Sequence, residues 1–128
     1  MAGRLEIEER RIGNVIILQL SGELTLEDDD VSFKKRIEAL DQGQPLNLIL
    51  DFRDVPSIDS GGIGALAAKY LSVRRRGGDI KLLNLTERTR RVMAITRLLT
   101  VFEVFDSEAE AVESFSTRVT AGAGRSNP

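Results

Sequence analysis

Residues 46–64 read LNLILDFRDVPSIDSGGIG. Leu46-Asn47-Leu48-Ile49-Leu50-Asp51-Phe52 is a short, nearly continuous apolar run, as expected of a strand buried on both faces. Val55-Pro56-Ser57 breaks it, and Ile58-Asp59-Ser60-Gly61-Gly62-Ile63-Gly64 forms a turn passing into a helix. Ile63, Leu66, Ala67, Tyr70 and Leu71 supply that helix with an apolar stripe. Arg74-Arg75-Arg76 in its last turn suits the helix dipole, and Gly77-Gly78 stops it. Asp79-Ile80-Lys81-Leu82-Leu83-Asn84-Leu85 is then a further strand. Strand, glycine-rich turn, helix and strand make a crossover unit, so the fold class is α/β.

The same alternation extends outward in both directions. Leu5 and Ile7, then Val15-Ile16-Ile17-Leu18-Gln19-Leu20, predict two strands joined by a turn at Arg11-Ile12-Gly13-Asn14. Asp28-Asp29-Asp30 places negative charge at a helix N-terminus, and Phe33, Ile37 and Leu40 at i, i+4, i+7 predict a helix over 27–42. Downstream, Thr86 can cap a helix lined by Val92, Met93, Ile95 and Leu99, followed by a strand at 101–105. Ser107 with Glu110 three residues later reads as a capping box for a last helix lined by Val112 and Phe115. The order ββαβαβαβα implies one domain with a mixed, mostly parallel five-stranded sheet and four helices. It spans residues 1–118, and the small, polar stretch 119–128 is expected to be a disordered tail.

Composition narrows the chemistry. The 128 residues are one domain's worth of chain, large enough to bury a core without staples. With no cysteine and no histidine, disulfides, thiolate zinc sites, imidazole metal ligands and the Ser-His-Asp triad are all excluded. The acidic side chains at 51, 54 and 59 have no basic partner for acid–base work, so no enzyme and no cofactor are expected. No apolar run is long enough to span a membrane, and a cytoplasmic protein is the default expectation. The net charge of −2 hides a basic stretch: residues 69–97 hold 9 basic and 2 acidic side chains between acidic flanks. With an acidic whole chain and no nucleic-acid motif, that stretch reads as a solvated face or a partner surface rather than a nucleic-acid site.

Ligands collect in α/β sheets where strand carboxyl ends meet helix N-termini, which here means the loops near Ser57–Gly64, Thr86 and Ser107. The first holds Asp59, Ser60 and three glycines immediately before a helix. Glycines let backbone N–H groups approach an anion, and the helix dipole favours negative charge. A phosphate carried on Ser60 would gain from that field. Equally, Asp59 or Ser60 can simply cap the helix. The loop lacks the Gly-Lys-Ser/Thr ending of a P-loop and the G-x-G-x-x-G spacing, which argues against a nucleotide site.

The stretch Leu48-Ile49-Leu50-Asp51-Phe52, Val55, Ile58 to Gly64, then Gly77-Gly78 before a strand, resembles the STAS domain of bacterial anti-sigma factor antagonists. Gly22-Glu23-Leu24 ahead of the first helix fits the same pattern, and the resemblance covers roughly residues 5–115. It implies a switch rather than an enzyme, with Ser60 phosphorylated by a partner that is both serine kinase and anti-sigma factor. Ser57 and Thr86 are secondary acceptors. Asp59, Ser60, Gly61, Gly62, Ile63, Thr25 and Arg88 are the implied partner-binding residues. Two positions depart from the family pattern: Gly61 stands where Ser or Thr is usual, and Thr25 where Asp is usual. The alternative is a constitutive scaffold or transporter-associated STAS domain that binds a partner or small anion without phosphorylation. No nucleic acid or membrane partner is expected, and a homodimer is left open.

Overall fold

The computed structural model describes residues 5–24 and 28–124, with side chains described for 5–24 and 32–116. Thr25 therefore lies outside the described residues. The elements are β1 (Glu6–Ile12), β2 (Val15–Ser21), α1 (Asp28–Leu40), β3 (Asn47–Asp54) and α2 (Ser60–Arg75). There follow β4 (Asp79–Leu83), α3 (Glu87–Ile95), the 3₁₀ turn η1 (Leu98–Thr100), β5 (Val104–Phe105) and α4 (Glu108–Gly124). The expected ββαβαβαβα order is thus present. The tail expected from 119 overlaps the end of α4, and 125–128 lie outside the described residues.

The sheet runs β1-β2-β3-β4-β5, antiparallel only between β1 and β2. Three successive parallel crossovers proceed in one direction across the sheet. Because each is right-handed by the general rule, α1, α2 and α3 are expected on one face. The larger core lies on that face: Leu18, Leu20, Leu48, Leu50, Phe52, Ile80 and Leu82 of the strands meet Phe33, Ile37, Leu66, Val73 and Met93. The last helix makes no crossover and is free to take the other face. There Ala111 and Phe115 cover Val15, Ile17, Ile49 and Leu83. A strand buried on both faces is why β3 carries an almost unbroken apolar run.

Several local expectations shift. The hairpin turn is only Gly13-Asn14, because Arg11 and Ile12 still pair with Ile16 and Val15. The last strand is Val104–Phe105 alone, since residues 98–100 wind into η1 and Phe102 turns into the core. Two side chains assigned to apolar helix faces point outward: Leu71 is 55% and Ile95 is 76% exposed. In α2 the buried face is Gly62, Ala65, Leu66 and Val73, so the stripe is rotated away from Leu71. In α3 the buried positions are Thr89 and Met93, which leaves Ile95 on the opposite side. Leu99, the other residue expected to line this helix, sits in η1 and is half-buried.

The end of α2 follows the Gly77-Gly78 signal closely. Gly77 adopts φ +89°, its N–H donates to Arg74 O at 3.0 Å, and the Gly78 N–H reaches Val73 O at 3.0 Å. This is a Schellman closure, which satisfies carbonyls that the helix would otherwise leave unpaired.

Candidate functional site

The carboxyl ends of β2, β3 and β4 deliver three loops to one pole of the sheet, and hydrogen bonds join those loops. The Gly22 N–H donates to Asp54 O at 3.0 Å, and the Asp59 N–H donates to Leu24 O at 3.4 Å. Leu24 and Ile58 form an isolated parallel bridge, so the chain leaving β2 is paired with the chain entering α2. From the third loop, the Thr86 hydroxyl lies 3.5 Å from the Val55 carbonyl. The pole is therefore held by backbone contacts rather than by side chains alone.

On this platform α2 begins at Ser60. Asp59 is its N-cap, in extended conformation at φ −101° and ψ −177°, with Oδ1 accepting the Gly62 N–H at 2.8 Å. The capping role thus belongs to Asp59, which leaves the Ser60 side chain, at the first helical position, exposed to solvent. First-turn N–H groups have no intrahelical acceptor, and α2 is 16 residues long, so its positive end faces this hydroxyl. Gly62 is buried against Leu24, Gly61 and Ile63 are half-buried, and Ser57 is half-buried on the approach to the turn.

Thr86 has a different environment. It is the N-cap of α3, its hydroxyl accepting the Thr89 N–H at 3.2 Å and lying 3.0 Å from the Thr89 hydroxyl. A phosphate there would have to displace a cap, whereas Ser60 caps nothing. Arg88, in the first turn of α3, is exposed. Asp59, Ser60, Gly61, Gly62 and Ile63 thus sit together on one turn, and Arg88 stands on the neighbouring helix that Thr86 ties to the same loops.

Sequence reading names Asp51 but misses its structural role: it is buried at 3% exposure beneath this pole. Its Oδ1 accepts the Arg53 N–H at 3.0 Å and the Asn84 side-chain amide at 3.3 Å. Asn84 is left-handed at φ 60°, a conformation that Asn tolerates better than most residues. The Asp51–Asn84 contact joins the ends of β3 and β4, and no local pattern signals it. Its role is to hold the loops, since neither group reaches the exposed turn at Ser60 through any of these bonds.

Among the described residues, no helix is long and apolar enough to cross a membrane. The STAS domain profile matches residues 6–111. The anti-sigma-B factor antagonist of Bacillus subtilis (strain 168) is 29% identical over 100 residues, covering 78% of this chain and 90% of that one. A crystal structure of a candidate anti-sigma factor antagonist from Thermotoga maritima superposes with TM-score 0.74 at 26% identity, covering 84% and 92% of the two chains. A Bacillus cell-fate determinant in its phosphorylated form superposes with TM-score 0.69 at 20% identity, covering 86% and 99%, a likeness of fold.

Proposed function

The chain belongs to the STAS domain family, and we propose that it works as an anti-sigma factor antagonist switched by phosphorylation of Ser60. The observation that carries this reading is the placement of Ser60: an exposed hydroxyl on the first turn of α2, relieved of capping by Asp59. Support also comes from a relative named for antagonism of an anti-sigma factor and from a fold neighbour determined in phosphorylated form.

In this reading the partner is an anti-sigma factor with serine-kinase activity. It transfers the γ-phosphoryl group of ATP to Ser60 Oγ: the bond to the ADP oxygen breaks, the Oγ–P bond forms, and the hydroxyl proton passes to a base on the kinase. This chain supplies only the acceptor, and a rigid turn holds that acceptor within reach. Unmodified, the turn 59–63 docks on the partner and releases the sigma factor. Phosphorylation adds about 1.5–2 negative charges beside the Asp59 carboxylate, on a surface that must lie against another protein. Like-charge repulsion and the desolvation of a dianion then eject the partner.

The test is intact-mass and phosphosite analysis after incubation with the kinase partner and ATP, for the native chain and for Ser60→Ala. One added phosphoryl group on the native chain and none on Ser60→Ala is the expected result. Undiminished transfer to Ser60→Ala moves the acceptor elsewhere, with half-buried Ser57 ahead of capping Thr86. Partner binding without any phosphoryl transfer would favour a constitutive scaffold.

A further inference from the structure

Ile95 is the most exposed large apolar side chain among the described residues, at 76%. It ends a helix whose inner face is already filled by Thr89 and Met93. On the outer face Arg88, Arg91 and Ile95 are all exposed and fall at i, i+3 and i+7, a single stripe about 10 Å long. Arg97 stands two residues beyond Ile95, past the end of α3 at φ 66°, and is exposed as well. Arg90, by contrast, lies 3.6 Å from Asp106. Arg88, Arg91 and Arg97 have no carboxylate partner among the described residues. A lone exposed isoleucine is unremarkable, but one that shares a stripe with two unpaired guanidinium groups, with a third just beyond the helix end, has the composition of an interface centre, where arginine and apolar anchors are prominent.

We infer that this stripe extends the contact with the kinase partner from Arg88 along α3, taking an acidic face that carries an apolar pocket for Ile95. The inference rests on the proposed function. Position and charge argue for that occupant. The stripe begins at Arg88, on the helix whose cap lies against the Val55 carbonyl of the Ser60 pole, so it continues the surface docked at residues 59–63. Three uncompensated positive charges select a negative surface, while Ile95 would gain nothing from a phosphate backbone.

The experiment is titration of the kinase partner against the native chain, Ile95→Glu, Arg91→Glu and Ile95→Leu, at two salt concentrations. All substitutions are at exposed positions, and unchanged thermal melts check that each variant folds. Ile95→Glu and Arg91→Glu should each weaken binding by about ten-fold or more, and Ile95→Leu should stay within about two-fold of the native chain. Arg91→Glu should also flatten the salt dependence. Native-strength binding by both Glu variants overturns the stripe and leaves the switch at Ser60 standing. No binding by the unmodified native chain overturns both. Loss of short-duplex DNA binding or of self-association in the Glu variants, with partner binding intact, overturns the inference in favour of that other occupant.

Discussion

Gly62 lies against the carbonyl oxygen of Leu24 so closely that a Cβ on it would collide with that oxygen and with Ile58 Cγ1. The collision is with backbone, which cannot swing aside as a long side chain can. Gly62→Ala should therefore destabilise the domain by about 1–3 kcal/mol, even though alanine is the better helix former. Gly64, two positions along the same helix, has open space around its missing side chain. Gly64→Ala should be stabilising by about 0.5–1 kcal/mol. Urea unfolding of the two variants tests the contrast, and equal effects of the same sign would refute the Leu24 contact.

The Asp59 cap yields a prediction that separates stability from switching. Asp59→Ala removes the acceptor of the Gly62 N–H and should cost about 1 kcal/mol. Asp59→Asn retains a capping oxygen and should recover most of that loss. It also removes the negative charge next to Ser60, so under the proposed switch, release on phosphorylation should become less complete in Asp59→Asn. Chemical denaturation reads the first effect and partner binding before and after phosphorylation reads the second.

Much of this was legible in the sequence because periodicity and punctuation are local. The run at 46–52, the stripe Phe33-Ile37-Leu40, the Gly77-Gly78 stop and the Thr86 and Ser107 caps each announce themselves within a few residues. What was not legible depends on which face a neighbour covers. Ile95 fits a helical stripe by spacing, yet the core takes the opposite side through Met93 and Thr89. Lys81 is only 1% exposed, and nothing local in the strand 79–85 announces the distant groups that pair with it. At the site, the turn 59–63 and its hydroxyl could be named. The assignment of the cap to Asp59 rather than Ser60, the closure of Leu24 on Gly62 and the Asp51–Asn84 tie could not, because they are geometric or long-range.

The buried Lys81 has its own consequence. Its Nζ donates to Ser114 Oγ at 2.7 Å, pairs with Glu103 Oε1 at 2.8 Å and stands 4.4 Å from the Phe115 ring centre. It thereby joins β4 to α4 and to the segment ahead of β5. A buried ammonium contributes little net stability when paired but is costly when its partner is removed. Lys81→Met, which keeps the apolar stem, should change stability by no more than about 1 kcal/mol. Glu103→Ala, although at a more exposed position, should cost about 1–3 kcal/mol because it strands the charge. The reverse ranking in thermal or chemical unfolding would show that the ion pair itself supplies the stability.

The other end of α4 should respond to acid. Arg10 on β1 donates to Glu108 from Nη1 at 3.0 Å and Nη2 at 2.7 Å, clamping the edge strand to the start of the helix. These hydrogen bonds hold the Glu108 carboxyl below its ordinary range and raise the Arg10 guanidinium further above its own. A carboxyl whose folded value is depressed contributes stability above its unfolded value, and that contribution disappears as pH falls through the folded one. Arg10 stays charged throughout, so Glu108 alone sets the window, which lies at and below about pH 4.3. Both side chains are more than one-third exposed, at 44% and 36%, so solvent screening limits the contribution. At neutral pH Glu108→Gln should cost less than about 1 kcal/mol. The gap between native and variant should close as the pH is lowered to about 3, and should also narrow in about 1 M salt. A gap that persists undiminished in acid would mean that Glu108 acts through packing rather than through its charge.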